Sequence, residues 1–167
     1  MIPRWGRRLG AAAAALAALT ACQSGATPQS GTTPSASVTS SPRALVEPSP
    51  TGEVADQCRA VMAALPASVD GLARSASTTF TAQWGGDAVA LRCGVPKPAA
   101  LEATSPCQVI NNIGWLAEQH PDEWVFTTIG RAGYIEVRVA ASHQPAGNVL
   151  VDLTGSVSKM REVKPCV

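Results

Sequence analysis

The sequence predicts an α+β domain, an antiparallel four-stranded sheet with two helices packed on one face and disulfide bonds holding them together. Three observations predict it. Helically spaced apolar residues stand at both ends of the segment 53–167, alternating stretches on short connections lie between them, and four cysteines fall in the same segment. At the start, Val54, Cys58, Val61, Met62 and Leu65 fall on one helical stripe. Glu53 and Asp56 suit the positive end of its dipole, and Pro66 stops it. Ala67 to Gly86 reads as a polar Ser/Thr loop. Val89, Leu91 and Cys93 alternate with Ala88, Ala90 and Arg92, which is strand spacing, and Pro96 and Pro98 end it.

Cys107–Ile110 and Gly114–Glu118 read as two short strands or one bent strand, with Asn111 and Asn112 marking the irregularity. Residues 123–129 and 134–140 alternate around a Gly130/Gly133 turn and pair as a hairpin. Leu150, Leu153, Val157 and Met160 make a closing helix, with Asn148 as its N-cap. The order is α-β-β-β-β-α, and consecutive strands on short connections favour a meander.

The chain before this domain has a different chemistry. Arg4, Arg7 and Arg8 precede the apolar run Leu9–Leu19, the pattern of an export leader. A bilayer-spanning helix needs about 20 apolar residues, more than this run holds. It ends Leu19-Thr-Ala-Cys22, which resembles a bacterial lipobox. Residues 1–21 are therefore expected to be removed, leaving Cys22 as a lipidated first residue that anchors the protein to the outer leaflet. Residues 22–52 then form a Ser/Thr/Pro-rich tether with few large apolar side chains. The expected location is the extracytoplasmic face of the cell membrane.

Export sends the four other cysteines, Cys58, Cys93, Cys107 and Cys166, to an oxidising compartment. Three pairings exist. The favoured one joins Cys93 to Cys107 across a Pro-rich loop and Cys58 to Cys166 across nearly the whole domain. In the chain-entropy view a short loop contributes ~3 kcal/mol and a loop of a hundred residues ~4.7 kcal/mol. Cys-x₂-Cys and His-x₃-His spacings are absent, so neither zinc nor another metal or cofactor is expected.

The blocks Val89-Ala-Leu-Arg-Cys-Gly-Val-Pro96, Gly114-Trp-Leu116, Phe126-Thr-Thr-Ile-Gly-Arg131, Tyr134-Ile-Glu-Val-Arg-Val139 and Pro165-Cys166 occur in that order. Together with Trp84-Gly85, they resemble the actinobacterial family known as domain of unknown function 3515, over about Val54 to Val167. The resemblance implies a secreted or membrane-anchored envelope protein. It implies no activity and transfers no catalytic residue.

Composition narrows the remaining chemistry. Only 15% of residues are charged, against roughly 25% in ordinary soluble domains. Lys+Arg number 13 and Asp+Glu 12, and three of the basic residues belong to the leader, so the domain has no basic excess for nucleic acid. His120 and His143 lie in a turn and a loop without metal-ligand spacing. No Gly-x-Ser-x-Gly elbow or phosphate-binding glycine loop occurs. Glu118, Asp122 and Glu123 cluster at one turn and supply an acid–base pair only on a second reading, an envelope hydrolase with residues 67–86 as its lid. The leading reading is a non-catalytic binding or assembly module for an envelope protein or polymer. Trp84, Arg92, Trp115 and Arg131 are its candidate binding residues, with rings stacking and arginines making bidentate contacts. Against this, the usual place of large apolar side chains favours Trp115 and Trp124 in the core, with the arginines paired to Asp87 or Glu136.

Overall fold

The computed structural model describes residues 45–165. The leader, Cys22, most of the expected tether and Cys166 lie outside the described residues. The elements are α1 (Gly52–Ala63), β1 (Ser68–Val69), β2 (Leu72–Ser77), β3 (Thr81–Trp84), β4 (Val89–Val95), β5 (Gln108–Ile110), β6 (Ile113–Gln119), β7 (Glu123–Ile129), β8 (Tyr134–Ala140) and α2 (Ala146–Val157). The class is α+β, with two helices and an antiparallel sheet among the described residues. The sheet has eight strands, not four, in the order β1-β2-β3-β4-β8-β7-β6-β5. Two four-stranded meanders meet where β4 pairs with β8, Leu91 opposite Val137.

Most of the added strands come from the segment expected to be a polar loop. Residues 67–86 hold β1, β2 and β3, so the lid of the hydrolase reading is instead built into the sheet. Small side chains hid it: β2 is Leu-Ala-Arg-Ser-Ala-Ser, whose burial alternates although most of its residues are small or polar. The tight turns are made by positive φ, at Asp70 and Gly71 between β1 and β2 and at Asn111 and Asn112 between β5 and β6. Two consecutive left-handed residues match the twist of a hairpin, and Asn and Gly adopt them at least cost. The Asn pair thus separates two strands.

Alternation sorts the sheet into two faces. Val89, Leu91 and Cys93, Ile135, Val137 and Val139, Phe126, Trp115 and Trp84 point to one face and are buried against the helices. Thr128 shares that face without loss, because its hydroxyl accepts from Ile135 N (2.9 Å) and reaches the Gly133 carbonyl (3.5 Å). Ser156 of α2 donates to the Ala64 carbonyl after α1 (2.8 Å), tying the helices together.

Helix α2 touches β8 near the middle of the sheet and β1 and β5 at its two edges. Both outer turns bond to it. Asp70 N donates to the Asp152 carboxylate (2.7 Å), and Asn111 Nδ2 donates to Thr154 Oγ1 (3.4 Å). The sheet therefore curls round the helix, which covers edges that would otherwise invite pairing. Helix α2 starts at Ala146, with Pro145 at the N-cap position, so Asn148 lies inside it and is not the cap. Asn148 instead donates to Asp70 Oδ1 (3.3 Å).

The disulfide pairing also differs. Cys58 bonds to Cys93, with a separation of 35 residues, not to Cys166, and Cys93 is not bonded to Cys107. The reason is facial: Cys58 is on the apolar stripe of α1, and Cys93 is on the β4 face that α1 covers. Cys107 is disulfide-bonded as well.

Candidate functional site

The other face of the sheet is built from cross-strand rows. Register aligns Thr81, Arg92, Glu136, Thr127 and Leu116 in one row, and Gln83, Ala90, Arg138, Val125 and Glu118 in the next. Opposite charges on neighbouring strands then meet. Arg92 clasps Glu136 with two parallel hydrogen bonds, from Nε (2.9 Å) and Nη2 (2.8 Å). Arg138 Nε donates to the same carboxylate (2.7 Å), and its Nη1 lies 3.4 Å from Glu123. Burial pushes the Glu136 carboxyl up, but the hydrogen bonds and charges of Arg92 and Arg138 outweigh it, and the net effect holds its pKa below the ordinary Glu value.

Residues 45–50 lie along this face. Arg92 Nη1 donates to the Val46 carbonyl (3.4 Å), Phe80 N donates to Glu47 Oε1 (2.8 Å), and Pro50 covers Gly94 so closely that any Cβ there would collide with its ring. The chain is therefore seated on the domain several residues before Glu53. Beside this strap is an open cleft of about 300 Å³ lined by Leu45, Asp87, His120, Asp122, Glu123 and Arg138, among others. Glu118 lies one strand away on β6. The second histidine, His143, sits elsewhere, 2.9 Å from Asp70 at the β1–β2 turn. Among the described residues no group of three His, Cys, Asp or Glu is placed to hold a metal ion.

The structure does not bring Trp84, Arg92, Trp115 and Arg131 together. Trp84 and Trp115 have no exposed surface and belong to the core. Trp84 Nε1 donates to the Pro66 carbonyl (3.3 Å), and the Arg74 guanidinium stands 5.7 Å from its ring centroid. Trp124 is half-buried and stacks on Phe126. Arg92 pairs with Glu136, as the core reading of these residues expects.

Arg131 occupies a different site. It follows Gly130 in the β7–β8 connection and bridges to Glu162 in the stretch after α2. Gly130 has φ +73, and its carbonyl accepts from both Val163 N (2.8 Å) and Lys164 N (3.0 Å). A side chain at position 130 would run into the Lys164 carbonyl, so glycine is required twice over. This clasp brings Arg131, Glu162 and Lys164 to one open cleft of about 310 Å³, closed by Val109, Asn112, Gly114, Ile129 and Pro165. Glu162 and Lys164 had no signature in the sequence, because only the Gly130 clasp makes them neighbours of Arg131, whereas Asn112 marks the β5–β6 turn and is brought there by the pairing of β6 with β7.

A family model described as protein of unknown function (DUF3515) matches residues 11–166. No curated protein and no solved structure matches the chain.

Proposed function

The chain belongs to the DUF3515 family, whose description names no activity, and from its residues we propose a lipid-anchored envelope protein that works as a non-catalytic binding or assembly module. The observation that carries the reading is the order of the first twenty-two residues: arginines, a short apolar run, small residues, then Cys22. The family match begins at residue 11, inside that apolar run. Two acyl chains, at ~0.8 kcal/mol per buried CH₂, hold a protein durably at a bilayer where one does not. The Ser/Thr/Pro composition up to the strap suits a spacer between anchor and domain.

The binding part of the proposal draws on the sheet's second face and on the Arg131 cleft. Of the acidic cluster Glu118, Asp122 and Glu123, Glu123 is paired with Arg138, and the neighbouring Glu136 is held by Arg92 and Arg138. Such pairing suits a scaffold better than a general acid, which needs a raised pKa.

Intact-mass analysis of membrane-extracted protein tests the anchor. The expected species begins at Cys22 and carries a diacylglycerol-sized increment, and Cys22→Ala is expected to move the protein out of the membrane fraction. An unacylated, uncleaved chain in the cytosol would overturn the proposal. Crosslinking on intact cells followed by co-purification tests the module, with a discrete envelope partner or polymer as the expected outcome.

A further inference from the structure

Buried cations in proteins are paired, stacked on a ring or neutralised by a ligand. Three arginines of the domain allow a comparison on that basis. Arg92, with 20% of its side chain exposed, has the Glu136 carboxylate in a bidentate clasp. Arg74 has two backbone carbonyls and the face of Trp84. Arg131 is the most buried of the ion-paired arginines, at 7% side-chain exposure, and among the described residues it has neither a carboxylate at hydrogen-bond distance nor a ring against it. Its Nη1 donates to the Met160 carbonyl (2.7 Å) and its Nη2 to the Asn112 carbonyl (3.3 Å). Its nearest carboxylate, Glu162, is 3.7 Å away and half exposed to solvent. Its Nε is buried without a hydrogen-bond partner, as is that of Arg74, but Arg74 has the Trp84 ring against its guanidinium. A guanidinium has five N–H donors, so two carbonyl bonds leave much of the fork unused.

The same cleft holds a second cation. Lys164 reaches it from the Gly130 clasp and has no carboxylate within ion-pair distance among the described residues. Beyond Ile129, Lys164 and Pro165, which line both, an adjoining cleft of about 360 Å³ adds Lys97 and Glu102, of opposite charge, with Leu101 and Tyr134. A buried arginine without a close carboxylate, a lysine with no carboxylate partner among the described residues and an adjoining, partly apolar recess describe a receptor for a molecule with an anionic head and a less polar body.

We propose that the Arg131–Lys164 cleft binds a carboxylate or phosphate group, with Glu162 as a weak internal competitor that swings into solvent when the anion enters. This rests on the binding-module reading and names the ligand chemistry for it. Arginine and lysine together supply the charge-assisted hydrogen bonds that such groups take. The cleft is distinct from the Arg92–Glu136–Arg138 ladder, whose charges already satisfy one another.

Thermal unfolding of the processed full chain, titrated in parallel with inorganic phosphate and with acetate against sodium chloride of equal ionic strength, tests it. Binding to the folded state raises Tm with anion concentration. The expected result is a saturable rise with phosphate, acetate or both, and the more effective of the two tells which head group the cleft prefers. Glu162→Gln is expected to tighten the apparent Kd about two- to fivefold and Lys164→Gln to weaken it by a similar factor, the worth of one partly exposed charge. Both positions are exposed, so both variants are expected to fold. Arg131→Gln is expected to abolish the response, but it also removes two bonds to carbonyls and serves only as support. A Tm that follows ionic strength alone, or the same response in wild type, Glu162→Gln and Lys164→Gln, overturns the proposal. Either result leaves the anchoring and the co-purification outcome untouched.

Discussion

Arg92 and Arg131 sit on one domain, each within reach of a glutamate, and the chain treats them in opposite ways. Arg92 lies within a strand, where the register of β4 and β8 places Glu136 directly across and Arg138 two residues further along. Regular pairing supplies its partner, and the ladder is complete without any ligand. Arg131 lies in a connection, where a single β-bridge sets Glu162 across from it but leaves that carboxylate half exposed and 3.7 Å away. Its neighbours come from the β5–β6 turn and from the stretch after α2, and the nearest of them are carbonyls, with the Glu162 carboxylate farther off. A charge in the middle of a sheet is thus a structural element, and a charge held by converging loops is left with capacity to spare. Loops positioned by a rigid scaffold are where binding residues concentrate, for this reason.

The largest break in that comparison is expected from the disulfide behind the ladder. Cys58–Cys93 fixes α1 to the strand that carries Arg92. The double variant Cys58→Ala/Cys93→Ala is expected to lose between about 3 and 4.7 kcal/mol, read from urea midpoints. Non-reducing peptide mapping checks the pairing: a linked Cys58–Cys93 peptide is expected, with Cys107 linked to Cys166. A Cys93–Cys107 peptide would contradict the facial argument.

Glu136→Gln comes next, because it leaves two arginines facing each other. With Arg92 one-fifth exposed, the cost is expected at about 2–3 kcal/mol, below the 3–5 kcal/mol of full burial. Acid sharpens the test. A carboxyl whose folded pKa is depressed stabilises the fold above its unfolded value and loses that contribution as pH falls through the folded value. The stability gap between wild type and Glu136→Gln is therefore expected to be widest at neutral pH and to close as pH drops below the ordinary Glu value of 4.5. A gap independent of pH would mean that packing, not charge, holds the ladder.

Gly130→Ala attacks the other region. The alanine must take a left-handed φ and its Cβ meets the Lys164 carbonyl, so a cost of about 1–3 kcal/mol is expected. Hydrogen exchange should show it locally, with the amides of Val163 and Lys164 losing protection while β4 and β8 keep theirs. Loss of protection across the whole sheet would show that the clasp is part of the core.

The sequence made the ladder legible and the cleft obscure, and the cause is physical. Strand alternation puts Glu136 and Arg138 on one face and Ile135, Val137 and Val139 on the other, so β8 and its hairpin with β7 follow from period alone, whereas the Arg92–Glu136 pair also needs β4 beside β8, which a meander of consecutive strands does not provide. Alternation also placed Cys93 on the face that α1 covers. The pairing with Cys58 was readable there, although closeness along the chain favoured Cys107. Strands β1 to β3 escaped because Ala, Ser and Thr give almost no hydrophobic contrast. Their turn residues, Asp70-Gly71 and Gly85-Gly86, were the available sign of the strands. The Arg131 cleft had no period to read. It depends on a glycine's clasp of a segment thirty-odd residues away, and such contacts exist only in three dimensions.

The smallest expected effect concerns residues 45–50. Composition assigns them to the tether, yet Glu47 accepts from Phe80 N and Pro50 rests on Gly94. The Phe80–Glu47 bond is exposed, so Glu47→Ala is expected to cost under about 1 kcal/mol, and its signature is local. The Phe80 amide should exchange faster while amides of β4 and β8 stay protected, because the ladder beneath is satisfied by Glu136 and uses the strap only for one long bond from Arg92 to the Val46 carbonyl. If Glu47→Ala instead destabilises the domain as much as Glu136→Gln does, the strap belongs to the fold. The ladder would then depend on a segment outside the sheet, much as Arg131 does, and the contrast between the two arginines would narrow to one of degree.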